Sequence, residues 1–169
     1  MFVAHLSSGY IVSKLLLNKR NISNADYTAL LIVGIVASIV PDLDLLYFYF
    51  IDNRQHAHHS YWTHMPFFWL LIYSVVVIVA VVSNSRRSFL FGTLFTASVL
   101  MHLVLDTLAG GIFWLYPYSN ESYVLFTIPA TYDWWVWNFI LHWSFGFELL
   151  IIAISVHMFR QPRHRVLIL

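Results

Sequence analysis

Residues 29–51 read ALLIVGIVASIVPDLDLLYFYFI. A helix crosses a bilayer with about 20 mostly apolar residues, so this stretch is long enough to span. It nevertheless carries two carboxylates, Asp42 and Asp44, directly after Pro41. Charged groups inside a span are costly and face the interior of a bundle. The rest of the chain is of the same kind. Its 169 residues are 60% hydrophobic and 10% charged, with mean hydropathy +0.71. A soluble domain carries about 45–50% apolar and about 25% charged residues. An ordinary soluble globule and a disordered segment are both excluded. Residues 1–169 read as one membrane-embedded domain. The net charge of +1 offers no basic face for nucleic acid. The absence of Cys removes disulfides, thiolate metal sites and Cys nucleophiles together.

Three further stretches, residues 65–83, 89–116 and 135–159, are apolar enough to span. Residues 1–17 are apolar but short, contain Ser7, Ser8 and Lys14, and lack the features of a signal peptide. The expected fold is therefore all-α: a polytopic helical membrane protein with four full spans plus a short N-terminal inserted helix. Alternating spans sort the basic residues. Lys14, Lys19, Arg20, Arg86, Arg87, Arg160, Arg163 and Arg165 fall on one side, and only Arg54 lies opposite. The positive-inside rule makes the crowded side, with the C-terminus, cytoplasmic. The His-rich loop 52–64 and the longer loop 117–133 then face the other side.

Height along the helices, at about 1.5 Å per residue, brings distant polar groups into one layer. Asp42 and His102 lie roughly 20 Å above the cytoplasmic ends of their spans, Asp106 roughly 26 Å and His64 roughly 29 Å. His5 sits roughly 15–20 Å above the basic residues that follow it. His102 and Asp106 are four apart and share a helix face. Asp42 and Asp44 would diverge on a continuous helix, but Pro41 breaks it, and a break lets both aim into one cavity. No Lys or Arg lies at that depth, so these acids need protons or a metal. Imidazole and carboxylate without thiolate suit zinc, iron, manganese or a similar divalent ion.

Blander readings apply elsewhere. His142 reads as a hydrogen-bonded packing residue, and Glu148 as a supporting partner or an interhelix hydrogen bond. His56 and His58 read as solvated loop residues, Asp52 and Arg54 as a loop pair, and His157 and His164 as interfacial. Gly110-Gly111 reads as a helix terminus permitting close backbone approach.

In order, the chain presents His5 with Ser8-Gly9, Pro41-Asp42-Leu43-Asp44, His59-Ser60-Tyr61-Trp62-Thr63-His64, His102-Leu103-Val104-Leu105-Asp106, Gly110-Gly111 and Tyr116-Pro117. This resembles the YdjM-like family, also called LexA-regulated, membrane-bound metal-dependent hydrolases, over roughly residues 1–150. Ser60 departs from that pattern, which usually has Arg after the first loop His. The family is distantly similar to zinc-dependent phospholipase C and P1 nucleases, which implies phosphoester hydrolysis by analogy of fold.

The expected metal ligands are His5, Asp42, Asp44, His59, His64, His102 and Asp106, holding one to three ions. Zinc is the expected ion, with manganese or iron as alternatives. Asp44 and His64 are the expected catalytic groups, Asp44 as general base. A site in the outer half of the membrane implies a lipid or lipid-linked substrate arriving laterally. Two rival readings use the same residues. One is a transporter of divalent metal or protons, although below Asp42 the stretch 30–38 offers only Ser38 as a polar step. The other is a haem electron carrier with His102 and His142 as axial ligands.

Overall fold

The computed structural model describes residues 3–18 and 20–162; Lys19, Arg163, His164 and Arg165 of the sequence argument lie outside them. Among the described residues seven α-helices follow in order: α1 Ala4–Leu17, α2 Asn24–Ala37, α3 Asp44–Phe50, α4 Pro66–Val82, α5 Arg86–Asp106, α6 Trp135–Ile140 and α7 Phe145–Arg160. Three 3-10 turns, Pro41–Leu43, His58–Ser60 and Trp62–His64, lie between α2 and α4. The fold is all-helical; among the described residues the only β pairing is the isolated bridge Ile112–Tyr123.

Local chemistry sets the boundaries. Ser23 caps α2, its hydroxyl accepting the Asp26 amide at 3.0 Å, and Ser85 caps α5 by accepting the Ser88 amide at 3.2 Å. Pro66 opens α4 at a position where its missing N–H costs nothing. Pro41 ends α2, and the chain turns through 51° into α3.

The long apolar stretches differ from the helices that form. Among the described residues, α5 is the one helix long and apolar enough to cross a membrane by itself, with the bent pair α2 and Pro41–Phe50 as a second if counted as one span. The stretch 89–116 stops being helical at Asp106, where the Gly110 amide folds back onto the Asp106 carbonyl at 2.6 Å. The stretch 135–159 is broken between Ile140 and Phe145 into α6 and α7.

Helix α5 is central, packing against α1, α2 and α4, while α7 packs on α1. The interior is unusually polar. His5, Ser13, Ser38, Asp44, His64, Ser98, His102, Asp106 and Glu148 are buried, while Ile78, Val81 and Val82 of α4 and Leu149 and Leu150 of α7 are exposed. Buried polar groups beside the apolar clusters around Leu94 and Leu103, with apolar side chains outward on α4 and α7, suit apolar surroundings.

Two interhelix contacts fix α1. The Glu148 carboxylate of α7 accepts the amides of Val3 at 2.5 Å and Ala4 at 3.1 Å, satisfying donors at the α1 N-terminus. At the other end the Lys14 ammonium donates to the carbonyls of Met158 and Gln161, where α7 finishes. The Glu148 reading as an interhelix hydrogen bond is the one found.

Gly9-x-x-x-Ser13 on α1 and Gly34-x-x-x-Ser38, running from α2 to its C-cap, form the seam between those helices, small residues allowing close approach. A Cβ on Gly9 would stand 2.6 Å from the Gly34 carbonyl oxygen, whereas one on Gly146 would meet nothing within 4 Å. Gly9→Val is expected to cost about 1–3 kcal/mol through overpacking. Gly146→Ala should be neutral or slightly stabilising. Thermal melts of the two detergent-solubilised variants check this, equal melting temperatures being the contrary result.

Candidate metal centre

The centre is built where α5 ends and α2 breaks. His102 and Asp106 stand one turn apart on α5, with His102 Nε2 2.9 Å from Asp106 Oδ2. The other nitrogen, His102 Nδ1, lies 2.7 Å from the Ser38 carbonyl oxygen, just past the end of α2. A carbonyl can only accept, so Nδ1 carries a proton, and Nε2 is the nitrogen turned toward Asp106. The Pro41 turn brings Asp42 Oδ1 to 3.6 Å from His102 Nε2 and 3.7 Å from His64 Nε2.

His64 arrives from the turn Trp62–His64, which Trp69 of α4 anchors by donating to the Thr63 carbonyl at 2.7 Å. Its Nδ1 donates to Asp44 Oδ2 at 2.7 Å, an oxygen that also accepts the Thr63 hydroxyl at 2.5 Å. His64 Nε2 therefore faces inward, 3.5 Å from His102 Nε2 and 3.7 Å from Asp106 Oδ2.

Asp42, His64, His102 and Asp106 thus offer four ligand atoms lying within 4.8 Å of one another. A tetrahedral site with bonds of about 2.0–2.2 Å to nitrogen and oxygen has edges of about 3.3–3.6 Å. Five of the six edges here run from 2.9 to 3.7 Å. The donor set fits a divalent cation on a second ground. Both imidazoles use Nδ1 on other partners, which turns the Nε2 of each toward the carboxylate oxygens. Protonating both rings instead would put two cations 5.5 Å apart between ring centres, a repulsion of about 3 kcal/mol at an effective dielectric near 20. A divalent ion balances the two carboxylates and uses both Nε2 atoms.

The other expected residues take distinct places. His5 lies at the edge, its Nε2 3.2 Å from Asp106 Oδ1 and its ring stacked on His102 at 3.9 Å. His59 is half-buried on another side, its Nε2 3.6 Å from Asp106 Oδ2. Burial pushes the His59 imidazole down to about 3, so the ring stays neutral with a lone pair to offer. Asp44 is not among the four atoms: it sits behind His64, on the Nδ1 edge of that ring. In this position it orients His64 through the Nδ1 edge. The reason is local, since Asp42 belongs to the 3-10 turn while Asp44 starts α3, and the two acids reach opposite nitrogens of one imidazole.

His58 departs from its reading as a solvated residue. Its Nδ1 lies 3.4 Å from Asp44 Oδ1, and it forms a second potential ligand group with His59 and His64. Asp52 pairs with His56 rather than Arg54: His56 donates to it from the backbone at 3.0 Å and stands 2.8 Å away through Nδ1. Arg54 lies over the Tyr49 ring. His142, the other histidine of the haem reading, has its Nδ1 2.8 Å from the Ser144 hydroxyl.

A model of the YdjM inner membrane protein family matches residues 1–166. The chain belongs to that family. It is 32% identical over 102 residues to the inner membrane protein YbcI of Escherichia coli (strain K12), across 56% of this chain. That match spans 57% of YbcI, a little over half its length. No solved structure matches. The protein is accordingly an inner membrane protein of the YdjM family with a buried His/Asp group able to hold a metal.

In this YdjM member Gly110 has a structural task. A Cβ there would lie 2.1 Å from Cε1 and 2.3 Å from Nδ1 of His59. The glycine makes room for the imidazole against the end of α5. Gly110→Ala is expected to displace His59 and weaken zinc binding about tenfold, within the range for disturbing a metal site's surroundings. Zinc titration of the purified variant measures this, and wild-type affinity would contradict it.

Proposed function

We propose that the protein is a polytopic membrane hydrolase, with four spans and an inserted N-terminal helix, that cleaves a phosphoester of a lipid or lipid-linked substrate. The observation that carries the reading is the four-atom group of Asp42, His64, His102 and Asp106, whose imidazole Nε2 atoms face carboxylates. When bound there, a divalent cation, zinc by preference, supplies Lewis-acid chemistry, polarising a phosphoryl oxygen and lowering the pKa of water. The chain's own residues do the rest. Ser38 and Asp44 hold the two imidazoles in the required tautomer. Asp42 has a side chain 29% exposed against 2% or less for the other three, so it marks the open face. Its Oδ1 belongs to the four-atom group, so Oδ2 is the oxygen that would take the proton of an attacking water. The one-sided distribution of Lys and Arg supports a cytoplasmic C-terminus and a site toward the opposite face.

The test is hydrolysis of a panel of lipid phosphoesters by purified protein, with and without chelator. The reading expects chelator-sensitive turnover that disappears in Asp42→Ala. Turnover unaffected by either change would overturn it. One observation favours a second reading, transport of a divalent metal. Ser13, Ser98 and Thr96 are buried alongside Ser38, giving more polar steps within the bundle than the stretch 30–38 has alone. Metal uptake into sealed vesicles separates the two.

A further inference from the structure

Beside the centre lies a cleft of about 680 Å³ whose walls come from α3 and the loop that follows it. Tyr47, Tyr61 and Trp62 give it aromatic walls, and Asp44 and Asp52 give it carboxylates. Among its described lining residues there is no Lys or Arg. The nearest basic residue in sequence, Arg54, is engaged with Tyr49 at 5.6 Å. The Tyr47 and Tyr61 rings stand edge to face at 5.4 Å, so the wall presents a π face. Hydrogen bonds from His56 hold the Asp52 carboxyl at about 2, and it is ionised at neutral pH.

Aromatic faces beside carboxylates attract an ammonium group and, with no Lys or Arg and the one lining imidazole, His56, taken up by Asp52, disfavour a phosphate. The cleft also shares a wall with the centre. Asp44 lines the cleft and holds the Nδ1 edge of His64, whose Nε2 edge faces Asp42 and Asp106. A molecule with an ammonium a short link away from a phosphate can occupy both places.

We propose that this cleft binds the ammonium headgroup of a zwitterionic aminophospholipid and so turns its phosphate toward Asp42, His64, His102 and Asp106. The second half rests on the hydrolase reading; ammonium binding does not.

The experiment titrates full-length detergent-solubilised protein, in the presence of chelator, with ethanolamine, phosphoethanolamine and glycerol phosphate, reading tryptophan fluorescence. The expected result is a saturable change with the two amines, absent with glycerol phosphate and lost in Trp62→Phe. Asp52→Asn and Tyr47→Leu should each weaken binding about tenfold. Tyr47 is exposed, so its replacement leaves a readable variant even if the Asp52 loop does not tolerate change. A response equal for glycerol phosphate, no saturable response, or wild-type affinity in Tyr47→Leu would overturn the proposal and leave the aromatics as an interfacial belt. Because no metal is present, failure of the hydrolase reading leaves this result standing, and the converse holds too. Nanodiscs of phosphatidylethanolamine against phosphatidylglycerol then separate the lipid from the free amine, the proposal expecting the change only with the former.

Discussion

Asp106→Asn is expected to empty the metal centre. The Asp106 side chain is buried and lies within 3.7 Å of nitrogens from four imidazoles: His102 at 2.9 Å, His5 at 3.2 Å, His59 at 3.6 Å and His64 at 3.7 Å. Asparagine keeps the shape but removes the charge that balances a cation. Its amide also offers N–H groups where a ligand oxygen is needed. Removing a partner that merely supports a ligand costs about 10–100-fold in metal affinity. Loss of a ligand shared by so many neighbours should exceed the upper end of that range. Zinc per chain, measured by elemental analysis after equilibration in a zinc buffer, should fall well below that of wild type. Circular dichroism should show the helices retained. Wild-type stoichiometry and affinity in this variant would remove Asp106 from the centre.

Asp44→Ala should behave differently, and the contrast tests the placement of this acid behind His64. The carboxylate fixes the His64 tautomer through the 2.7 Å bond to Nδ1. Its loss frees the ring to rotate or to protonate at Nε2. Affinity for zinc is expected to fall about 10–100-fold while stoichiometry at saturating zinc is unchanged. Asp44→Asn, whose amide oxygen can still accept from His64, should recover much of the loss. A ligand would show neither behaviour. Absence of bound zinc at saturation in both variants would return Asp44 to the set of direct ligands.

Helical spacing made part of this site legible. His102 and Asp106 are fixed relative to each other by one turn of α5, and Pro41 signalled the break that turns Asp42 inward. Equal heights along separate helices pointed to His5, His64 and Asp42 as neighbours, and the structure brings them around Asp106 or His102. Asp44 was not legible in detail, because its direction depends on a three-residue turn whose geometry no periodicity encodes. His58 was read as solvated because loop sequence carries no burial signal; its position follows from Asp44 and from the tilted His59 ring 3.9 Å away.

Hydrophobicity alone also overstated the continuity of the helices. It continued past Asp106 and through residues 141–144, where the backbone turns instead. The Glu148 cap on α1 joins residues 144 and 145 apart in sequence, and no local pattern announces it. The Gly9–Ser13 and Gly34–Ser38 spacings are, by contrast, visible in the sequence as small-residue pairs four apart.

The most direct test is X-ray absorption at the metal edge of purified, dialysed protein, with the metal-to-chain ratio taken from the edge height. At least one divalent transition metal per chain is expected, bound only by nitrogen and oxygen at about 2.0–2.2 Å, with imidazole scattering. A folded protein that retains no stoichiometric metal after zinc loading would contradict it.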